Sequence, residues 1–314
     1  MSTAGGAIGQ SAARGAIEKT GGATPDRKVF ILGGGAVLGA HQVGALKYLE
    51  EIGIKPDVLI CSSIGVINGC VYGSGGVVAL EEAWKGFRTL PILLPSLKDN
   101  LITGLSLVSM DRAAGALEEF MDFPKLFESE LDIEIIVLNL SRGEGQMWSS
   151  RDCVDWREFR QLTRAGWALP PVFPPVTLRG EYFIDGGLAW NIPLEHALDC
   201  GATEIYVLAP IASRLPYKSQ FGGLFDYFGR MIDVLWRTLG NMGHLYARIE
   251  DGKFHGVPVT IIEPSEELSG FSVFSILNSY PEKARRMIAA GYRDAKRALE
   301  RPEASLPQHK RRVS

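Results

Sequence analysis

The amino-acid sequence predicts an α/β fold with a mostly parallel central sheet and helices on both faces of that sheet. Short apolar runs rich in β-branched residues recur along the chain, and segments with helical periodicity lie between them. This regular order of strand and helix favours parallel pairing. Continuous apolar runs are typical of strands that are covered on both faces. The functional site of such a sheet lies beyond the carboxyl ends of its strands.

Five apolar runs predict the strands. They are residues 28–32, 57–61, 133–138, 205–209 and 258–263. Between the first two runs, residues 39–52 have apolar side chains at helical spacing, and Gly53 is placed to cap that helix. Residues 66–80 also predict a helix, although four glycines lower the helix propensity there. A last helix begins at Pro281, because proline suits the first position of a helix.

Composition restricts the class of protein. The chain has 314 residues, of which 46% are hydrophobic and 22% charged, and its net charge is −3. This size allows one large core, and the charge gives no indication of nucleic-acid binding. The glycine-rich residues 1–26 and the basic residues 301–314 predict a flexible leader and tail around one domain, residues 27–300. These numbers do not fix the oligomeric state.

Cysteine usage and hydropathy indicate the compartment. The four cysteines are Cys61, Cys70, Cys153 and Cys200. They form no CxxC pair, so we expect reduced thiols in a cytoplasmic protein. No continuous apolar run approaches the ~18 residues that a membrane span requires. The first residues also lack the apolar core of a signal peptide. Any membrane role predicted from the sequence is therefore peripheral.

Ser63 is the candidate nucleophile. It lies in Cys61-Ser62-Ser63-Ile64-Gly65, where the second predicted strand runs into a helix. A serine at such a turn is lifted out of the sheet, and the positive end of the helix points at its hydroxyl. The turn needs small residues two positions on either side. Gly65 meets this need and Cys61 meets it in part. The competing interpretation is that the serine caps the helix.

Gly33-Gly34-Gly35 follows the first strand and has two chemical interpretations. A dinucleotide-binding loop needs glycines at positions one, three and six, and here the required positions fall on Ala36 or Leu38. The loop instead suits an oxyanion hole, in which the N–H groups of Gly34, Gly35 and Ala36 bind the tetrahedral intermediate. A structural turn without a chemical role is the alternative.

Asp185 is the candidate base. It follows the apolar run Tyr182-Phe183-Ile184, so it ends a short predicted strand, and it precedes Gly186-Gly187. Asp-Gly is a common hairpin signal, but residues 188–193 do not alternate as a returning strand would. Together with Ser63 and the glycine loop, Asp185 predicts a serine hydrolase that works without a catalytic histidine.

Four blocks of this sequence resemble the patatin-like phospholipase family. The blocks are Gly33-Gly34-Gly35 with residues 39–44, residues 63–68, the proline-rich residues 168–176, and Asp185-Gly186-Gly187 with Asn191-Ile192-Pro193. They occur in the order typical of the family, and the resemblance covers residues 28 to about 210.

The resemblance implies a three-layer α/β/α fold and a Ser–Asp dyad. Ser63 would attack an ester carbonyl, and Asp185 would accept its proton and later assist water in releasing the acyl group. The glycine loop would hold the oxyanion. Members of the family hydrolyse acyl esters of phospholipids and neutral lipids. The implied substrate is therefore a lipid or another acyl ester, and the dyad requires no metal or cofactor.

Two departures from the family pattern concern the site. Cys61 stands where the family has a glycine, and residues 36–39 contain one residue more than the closest family pattern and no arginine. Displacing a donor by about 1 Å can cost on the order of 100-fold in rate. A weak or inactive relative that binds lipid or a protein partner is therefore an alternative function.

A Ser-His-Asp triad is a second alternative. In α/β-hydrolases the histidine follows the acid late in the chain. His244 and His255 satisfy this order. Neither histidine, however, lies in a clear loop at the end of a predicted strand.

An aromatic-rich segment from Phe221 to Leu239 has apolar residues at helical spacing. Such a stripe predicts either a helix packed on the core or a helix that contacts lipid at a membrane surface. The second interpretation is the one that agrees with a lipolytic enzyme, and it predicts peripheral membrane contact.

Overall fold

Five parallel strands form the centre of the sheet. The computed structural model describes residues 26–86, 106, 108–187, 189–213, 217–224, 226–227, 230–231, 234, 245, 248–265 and 281–300. Numbered in chain order, the parallel strands are β1 (Lys28–Leu32), β2 (Val58–Cys61), β3 (Asp132–Asn139), β7 (Glu204–Leu208) and β9 (Val257–Ile262). They lie in the order β3-β2-β1-β7-β9. All five predicted strands are confirmed, with bounds shifted by at most one residue.

Antiparallel strands extend this centre at both margins. They are β4 (Glu144–Ser149), β5 (Val176–Leu178), β6 (Glu181–Asp185) and the short β8 (Lys253–Phe254). β4 and β6 pair with β3, β5 pairs with β6, and β8 pairs with β9. The sequence predicted a strand ending at Asp185 but neither β4 nor β5. The sheet is therefore mixed, with a parallel centre.

β2 and β6 share one edge of β3. Ile135 pairs with both β2 and β4, and Val137 pairs with both β4 and β6. β4 thus occupies one edge of β3, and the other two strands lie along the opposite edge. Cys61 at the end of β2 pairs with Ile135, and Asp185 at the end of β6 pairs with Val137. The two strands therefore meet carboxyl end to carboxyl end, about 7 Å apart along β3.

Helices cover both faces of this sheet. They are α1 (Ala40–Glu51), α2 (Ile64–Gly86), α3 (Met110–Glu118), α4 (Phe123–Glu128), α5 (Trp156–Gly166), α6 (Leu194–Asp199) and α7 (Pro281–Glu300). The three predicted helices correspond to α1, α2 and α7. Gly53 has a φ of 79°, as expected of a glycine that ends α1.

Two apolar layers hold the helices on the sheet. Phe30 and Leu32 of β1 belong to the layer that includes residues of α1, α2, α5 and α7. Val29 and Ile31 belong to the opposite layer, which includes residues of α6. Because successive side chains of a strand point to opposite faces, β1 contributes to both layers. The result is the three-layer α/β/α fold that the resemblance implied.

α1 and α7 are in backbone contact. A methyl group on Gly44 would lie 1.8 Å from the carbonyl oxygen of Ile288, and one on Gly291 would lie 1.9 Å from the carbonyl oxygen of His41. Only glycine permits such a close approach. The last helix therefore fixes the position of α1, the helix that follows the glycine loop.

α2 is long and apolar, and Gly76 interrupts it with a φ of 71°. It has 23 residues, and its most apolar window has a mean hydropathy of 1.3, so by length and composition it is long enough to cross a membrane. Half of that window is buried, and Val66, Cys70 and Val71 belong to the core. These contacts are typical of a helix at the centre of a folded domain.

Some predicted features lie outside the described residues. They are the leader apart from Asp26, the tail from residue 301, most of residues 221–239, and His244. The predicted domain boundaries and the helix between Phe221 and Leu239 therefore stay predictions.

Candidate active site

β2 brings Ser63 into the site through a strained turn. Ser63 has a φ of 54°, in the left-handed region that residues other than glycine rarely adopt. Its N–H donates to the Gly166 carbonyl at 3.1 Å, which ties the turn to α5. A methyl group on Gly65 would lie 2.0 Å from the carbonyl oxygen of Leu32, so this position requires glycine. The turn has the strand-to-helix geometry that the sequence predicted.

Cys61 fits this turn because α2 has a glycine beside it. The Cys61 Sγ lies only 2.7 Å from the place that a methyl group on Gly69 would occupy. The thiol is completely buried, and this burial raises its pKa well above the usual range. Cys61 is therefore a packing residue and not a second nucleophile. Its departure from the family pattern leaves the turn intact.

Asp185 ends β6 in a fully buried position. Its N–H donates to the Ala168 carbonyl at 3.1 Å, and its Oδ1 accepts a hydrogen bond from the Gly187 N–H at 2.8 Å. Burial raises the pKa of Asp185 to about 6, while hydrogen bonding by the Ser63 hydroxyl and the Gly187 N–H acts in the opposite direction. Among the ion pairs of the described residues, none involves Asp185.

The structure brings Ser63 and Asp185 together. The Ser63 hydroxyl is close enough to the carboxylate to lower the pKa of Asp185. Asp185 Oδ2 itself has no hydrogen-bond partner among the described residues. Catalytic hydrogen bonds are often long in the absence of substrate and tighten when it binds. Ser63 and Asp185 are thus neighbours, as the sequence predicted.

The glycine loop lies against Ser63. A methyl group on Gly34 would come within 2.8 Å of Ser63 Cβ. The Gly34 N–H donates to Asn191 Oδ1 at 2.5 Å, so this predicted oxyanion donor is already engaged. In the described part of the chain, the N–H groups of Gly35 and Ala36 have no acceptor. The N–H groups of Gly35 and Ala36 are therefore available as donors in the loop that contacts Ser63.

The additional residue of the loop is absorbed in a 3-10 turn, Ala36–Gly39. Ala36 enters it with a φ of 49°, and the Leu38 N–H donates to the Gly35 carbonyl at 3.1 Å. A methyl group on Gly39 would lie 2.5 Å from Cγ1 of Ile64, so this turn packs directly on the residue after Ser63.

Three buried polar side chains that the sequence had not assigned a role support this loop. Gln42 Nε2 donates to the Gly33 carbonyl at 2.7 Å. Asn68 Nδ2 donates to Gln42 Oε1 at 2.7 Å, and Trp84 Nε1 donates to Asn68 Oδ1 at 2.8 Å. The sequence signal was a polar residue at a helical position among apolar residues. This signal does not predict which backbone group the polar side chain binds.

Asn191 is the fourth residue without a predicted role. It is fully buried, and besides accepting from the Gly34 N–H it donates through Nδ2 to the Gly34 carbonyl at 3.4 Å. It lies six residues after Asp185, so one short segment contacts both the glycine loop and the base. Its presence in the Asp-Gly-Gly block was the only sequence signal.

The histidines do not complete a triad in the described part of the chain. His255 precedes β9 at its amino end, whereas Ser63 follows the carboxyl end of the parallel strand β2. His255 therefore lies at the opposite end of the parallel strands from Ser63, and the alternative based on His255 is wrong. His41 is buried and paired with Asp294 at 3.0 Å.

Two other features lie away from the dyad. A cavity of about 590 Å³ is lined by Ser74 of α2 and by residues of α3, α4 and α5. Ser74 is ten residues beyond the start of α2, about 15 Å along the helix. Within the described residues, the group of potential metal ligands is Glu134, His196 and Cys200, which includes neither Ser63 nor Asp185.

Comparison with known proteins identifies the family. The model of the patatin-like phospholipase family matches residues 30–198. Lysophospholipase nte1 of Aspergillus niger is 30% identical over 182 residues, which cover 57% of this chain and 11% of the relative. Patatin-like phospholipase domain-containing protein ZK370.4 of Caenorhabditis elegans is 29% identical over 179 residues, which cover 55% and 13%. The chain thus spans 11–13% of the length of these two relatives.

Among solved structures, VipD from Legionella pneumophila is similar with 15% identity and a TM-score of 0.46, over 88% of this chain and 67% of that one. The family match extends over more than half of the chain and includes the glycine loop, Ser63, Asp185 and Asn191. The patatin-like phospholipases are a family of carboxylic ester hydrolases, and this chain belongs to that family.

Proposed function

We propose that this chain hydrolyses acyl esters of lipids, with Ser63 as nucleophile and Asp185 as general base. The observation that supports the proposal is the approach of β2 and β6 along one edge of β3, which leaves Ser63 beside a buried carboxylate. Asp185 forms no ion pair with a described residue, and the Ser63 hydroxyl is close enough to lower the pKa of its carboxyl. This arrangement favours an active enzyme over an inactive binding protein.

The proposed reaction has two halves. In acylation, Ser63 Oγ attacks the ester carbonyl carbon while its proton passes to Asp185, and the oxyanion accepts hydrogen bonds from Gly35 and Ala36. The tetrahedral intermediate then expels the alcohol, which takes the proton from Asp185. In deacylation, Asp185 takes a proton from water as the oxygen of that water attacks the acyl group. The proton passes to Ser63 Oγ as the fatty acid leaves.

The pKa of Asp185 suits this role. At about 6, it leaves the carboxyl mostly ionised at neutral pH, yet a better proton acceptor than an exposed aspartate. The cause is burial, because desolvation disfavours the charged form. The same burial excludes water from the pair and strengthens its electrostatic interactions.

Lipid substrates are proposed from the family and from the relatives named lysophospholipases. A phospholipid with one acyl chain is therefore the first substrate to test. All four cysteines are buried free thiols, which supports a location in the reducing cytoplasm. Tyr217, Phe221, Leu224 and Tyr227 expose half or more of their surface. We therefore also propose peripheral membrane contact through this part of the chain.

Labelling with a fluorophosphonate tests the dyad. The probe should form one adduct, which peptide mass spectrometry should map to Ser63 and not to Ser62. Ser63→Ala should abolish both labelling and turnover of a short-chain nitrophenyl ester and of lysophosphatidylcholine. Asp185→Asn should lower turnover by about 10²–10⁴-fold.

The matched control is Ser150→Ala, another buried serine, at the start of a 3-10 turn that follows β4. It should keep both activities. No adduct on the folded wild-type protein would overturn the proposal and favour the inactive relative that binds lipid. An adduct on Ser62 would show that the nucleophile is Ser62 and not Ser63, and would also overturn the proposal.

Vesicle sedimentation tests the membrane contact separately. Phe221→Ser combined with Leu224→Ser should weaken binding to phosphatidylcholine vesicles that contain anionic lipid. Val78→Ser combined with Val154→Ser, which removes apolar side chains of similar exposure elsewhere, should not. Equal binding by both double variants would show that residues 221–224 do not contact lipid.

A further inference from the structure

Three side chains of metal-binding type meet outside the active site. Glu134 belongs to β3, His196 to α6, and Cys200 follows the end of α6. His196 Nε2 lies 3.3 Å from Glu134 Oε2, and Cys200 Sγ lies 4.0 Å from Glu134 Oε1. All three potential ligand atoms lie within 4.8 Å of one another. The cluster combines a carboxylate, an imidazole and a thiol.

Local structure fixes these positions. His196 and Cys200 are four residues apart, and the Cys200 N–H donates to the His196 carbonyl at 3.0 Å, so both side chains leave α6 on the same side. On β3, Glu134 points to the same face as Ile136, which packs in the layer that contains Leu194 and Ala197 of α6. The helix therefore presents two donors directly to the strand carboxylate.

The setting of Glu134 is unusual for a carboxylate. It is 1% exposed, and its register partner on β2 is Ile60. Burying a carboxylate in an apolar layer is costly unless a cation or hydrogen bonds compensate for the lost hydration. His196 and Cys200 already lie against this carboxylate, and a bound cation would add to the compensation that they supply.

We propose that Glu134, His196 and Cys200 bind one Zn²⁺ ion. Thiolate and imidazole are the ligands that favour zinc over magnesium or calcium. Zinc–ligand bonds of about 2.0–2.3 Å place tetrahedral ligand atoms roughly 3.3–3.8 Å apart. The contacts of His196 and Cys200 with the two Glu134 oxygens are 3.3 and 4.0 Å, and the spacings within the group stay below 4.8 Å, so small side-chain shifts would complete the site. Cys200 binds as the thiolate after losing its proton to solvent. The His196 side chain is 23% exposed, and a water molecule would complete the tetrahedral site as the fourth ligand.

The site would brace the active site without taking part in the reaction. α6 begins directly after Asn191-Ile192-Pro193, and β3 is the strand along which β2 and β6 meet. A metal ion that joins α6 to β3 would therefore hold the segment of Asn191 against the sheet. The proposal does not depend on esterase activity, because metal binding and stability are measured without substrate.

Zinc titration of the full-length chain, prepared without a histidine tag and stripped with a chelator, tests the site. Gel filtration followed by elemental analysis should find one Zn²⁺ per chain. Co²⁺ in place of Zn²⁺ should give a thiolate-to-metal charge-transfer band. Cys200→Ser and His196→Gln should each weaken zinc binding at least tenfold, and Cys200→Ser should abolish the band.

Matched controls come from the same chain. Cys153→Ser changes another buried thiol and His255→Gln another histidine, and both should bind zinc as the wild type does. Zinc should raise the melting temperature of the wild type and of both controls but not that of Cys200→Ser. Circular dichroism would verify that Cys200→Ser is folded. Absence of stoichiometric zinc, or binding that persists in both ligand variants, would overturn the proposal and leave a hydrogen-bonded His–Glu pair.

Discussion

The two arms of the active site are fixed in different ways. The nucleophile arm, β2 with the start of α2, is held by backbone contacts such as that of Gly65 with the Leu32 carbonyl. The base arm, residues 187–193 after β6, is held mainly by side chains, whereas Gly186 before it packs on the backbone of Ile136 and Val137 in β3. Gly187 borders the Ser62 hydroxyl, and Asn191 extends to Gly34. A backbone contact cannot adjust, whereas a side chain can rotate away.

Because of this difference, substitutions in one arm should change the stability of the fold, and substitutions in the other should change the rate of ester hydrolysis. Added volume in the nucleophile arm must displace a strand or a helix, so it should act mainly on folding. A change in the base arm should leave the fold largely intact and act on the positions of the proposed base and oxyanion donors. The same kind of substitution should therefore have different effects in the two arms.

The largest effect is expected from a pair of glycine substitutions. Gly65→Ala puts a methyl group 2.0 Å from a carbonyl oxygen and should lower the free energy of unfolding by about 4 kcal/mol. Gly187→Ala places its methyl group 2.5 Å from the Ser62 Oγ, which can rotate, and should cost about 1–2 kcal/mol. Urea unfolding of both variants measures this difference.

Among the molecules that remain folded, the loss of ester hydrolysis should be larger for Gly187→Ala than for Gly65→Ala, the reverse of the order in stability. Gly187→Ala should remain folded with a large loss of ester hydrolysis, because its methyl group also lies 3.1 Å from Asp185 Oδ1. The contrast between the arms would fail if the two variants lost equal stability, or if Gly187→Ala kept the wild-type rate.

The second prediction concerns Asp185→Asn, which should remove the proposed base and stabilise the fold. Burial raises the pKa of Asp185 from 3.8 to about 6, so the folded state binds the proton more tightly than the unfolded state does. The stability contributed by that proton is complete below about pH 4 and is lost as the pH rises through about 6. At pH 7 the ionised carboxylate therefore destabilises the wild type by about 3 kcal/mol relative to a neutral side chain.

Unfolding measured from pH 4 to pH 8 checks this sign. The variant should match the wild type near pH 4 and exceed it by up to about 3 kcal/mol above pH 6. Over the same range, the wild-type kcat/KM should rise with pH around 6, because the base must be ionised. A variant less stable than the wild type at pH 7 would mean that hydrogen bonds to the carboxylate outweigh its burial.

The sequence predicted the nucleophile arm more completely than the base arm. β2, its turn and α2 are adjacent in the chain, so apolar runs and Gly65 sufficed to predict the geometry of Ser63. The sequence also predicted the strand that ends at Asp185. It did not predict that this strand runs antiparallel to β3, because β4 and β5 have weak local signals and the pairing joins residues far apart in the chain.

Asn191 illustrates the limit most clearly. Its hydrogen bonds to Gly34 join residues 157 positions apart, and no local pattern predicts such a pair. Cys61 illustrates the opposite case. Its mismatch with the family was visible in the sequence, but the space beside Gly69 that accommodates it was not.

The third prediction tests that long-range link. Asn191→Ala removes the acceptor of the Gly34 N–H and frees the glycine loop to move, so kcat should fall by about 10–100-fold while KM changes little. The rate of fluorophosphonate labelling at Ser63 should fall in parallel. Initial rates at several substrate concentrations separate the two constants.

Asn139→Ala is the matched control for Asn191. Asn139 is 1% exposed, and its amide donates to Glu181 at the start of β6 rather than to the loop. It should lose stability without a comparable loss of kcat. Equal losses of kcat in the two variants would indicate a general loosening of β6 in place of a specific effect on the loop.

The smallest effect is expected when the family glycine is restored by Cys61→Gly. The turn at Ser63 already has the required geometry, and the Cys61 side chain fills space beside Gly69. Removing it should change kcat/KM by less than about threefold, while the cavity and the more flexible backbone lower the free energy of unfolding by about 1–2 kcal/mol. Urea unfolding and ester turnover measure both quantities. A tenfold gain in turnover would show that Cys61 restrains the nucleophile, and the nucleophile arm would then be adjustable after all.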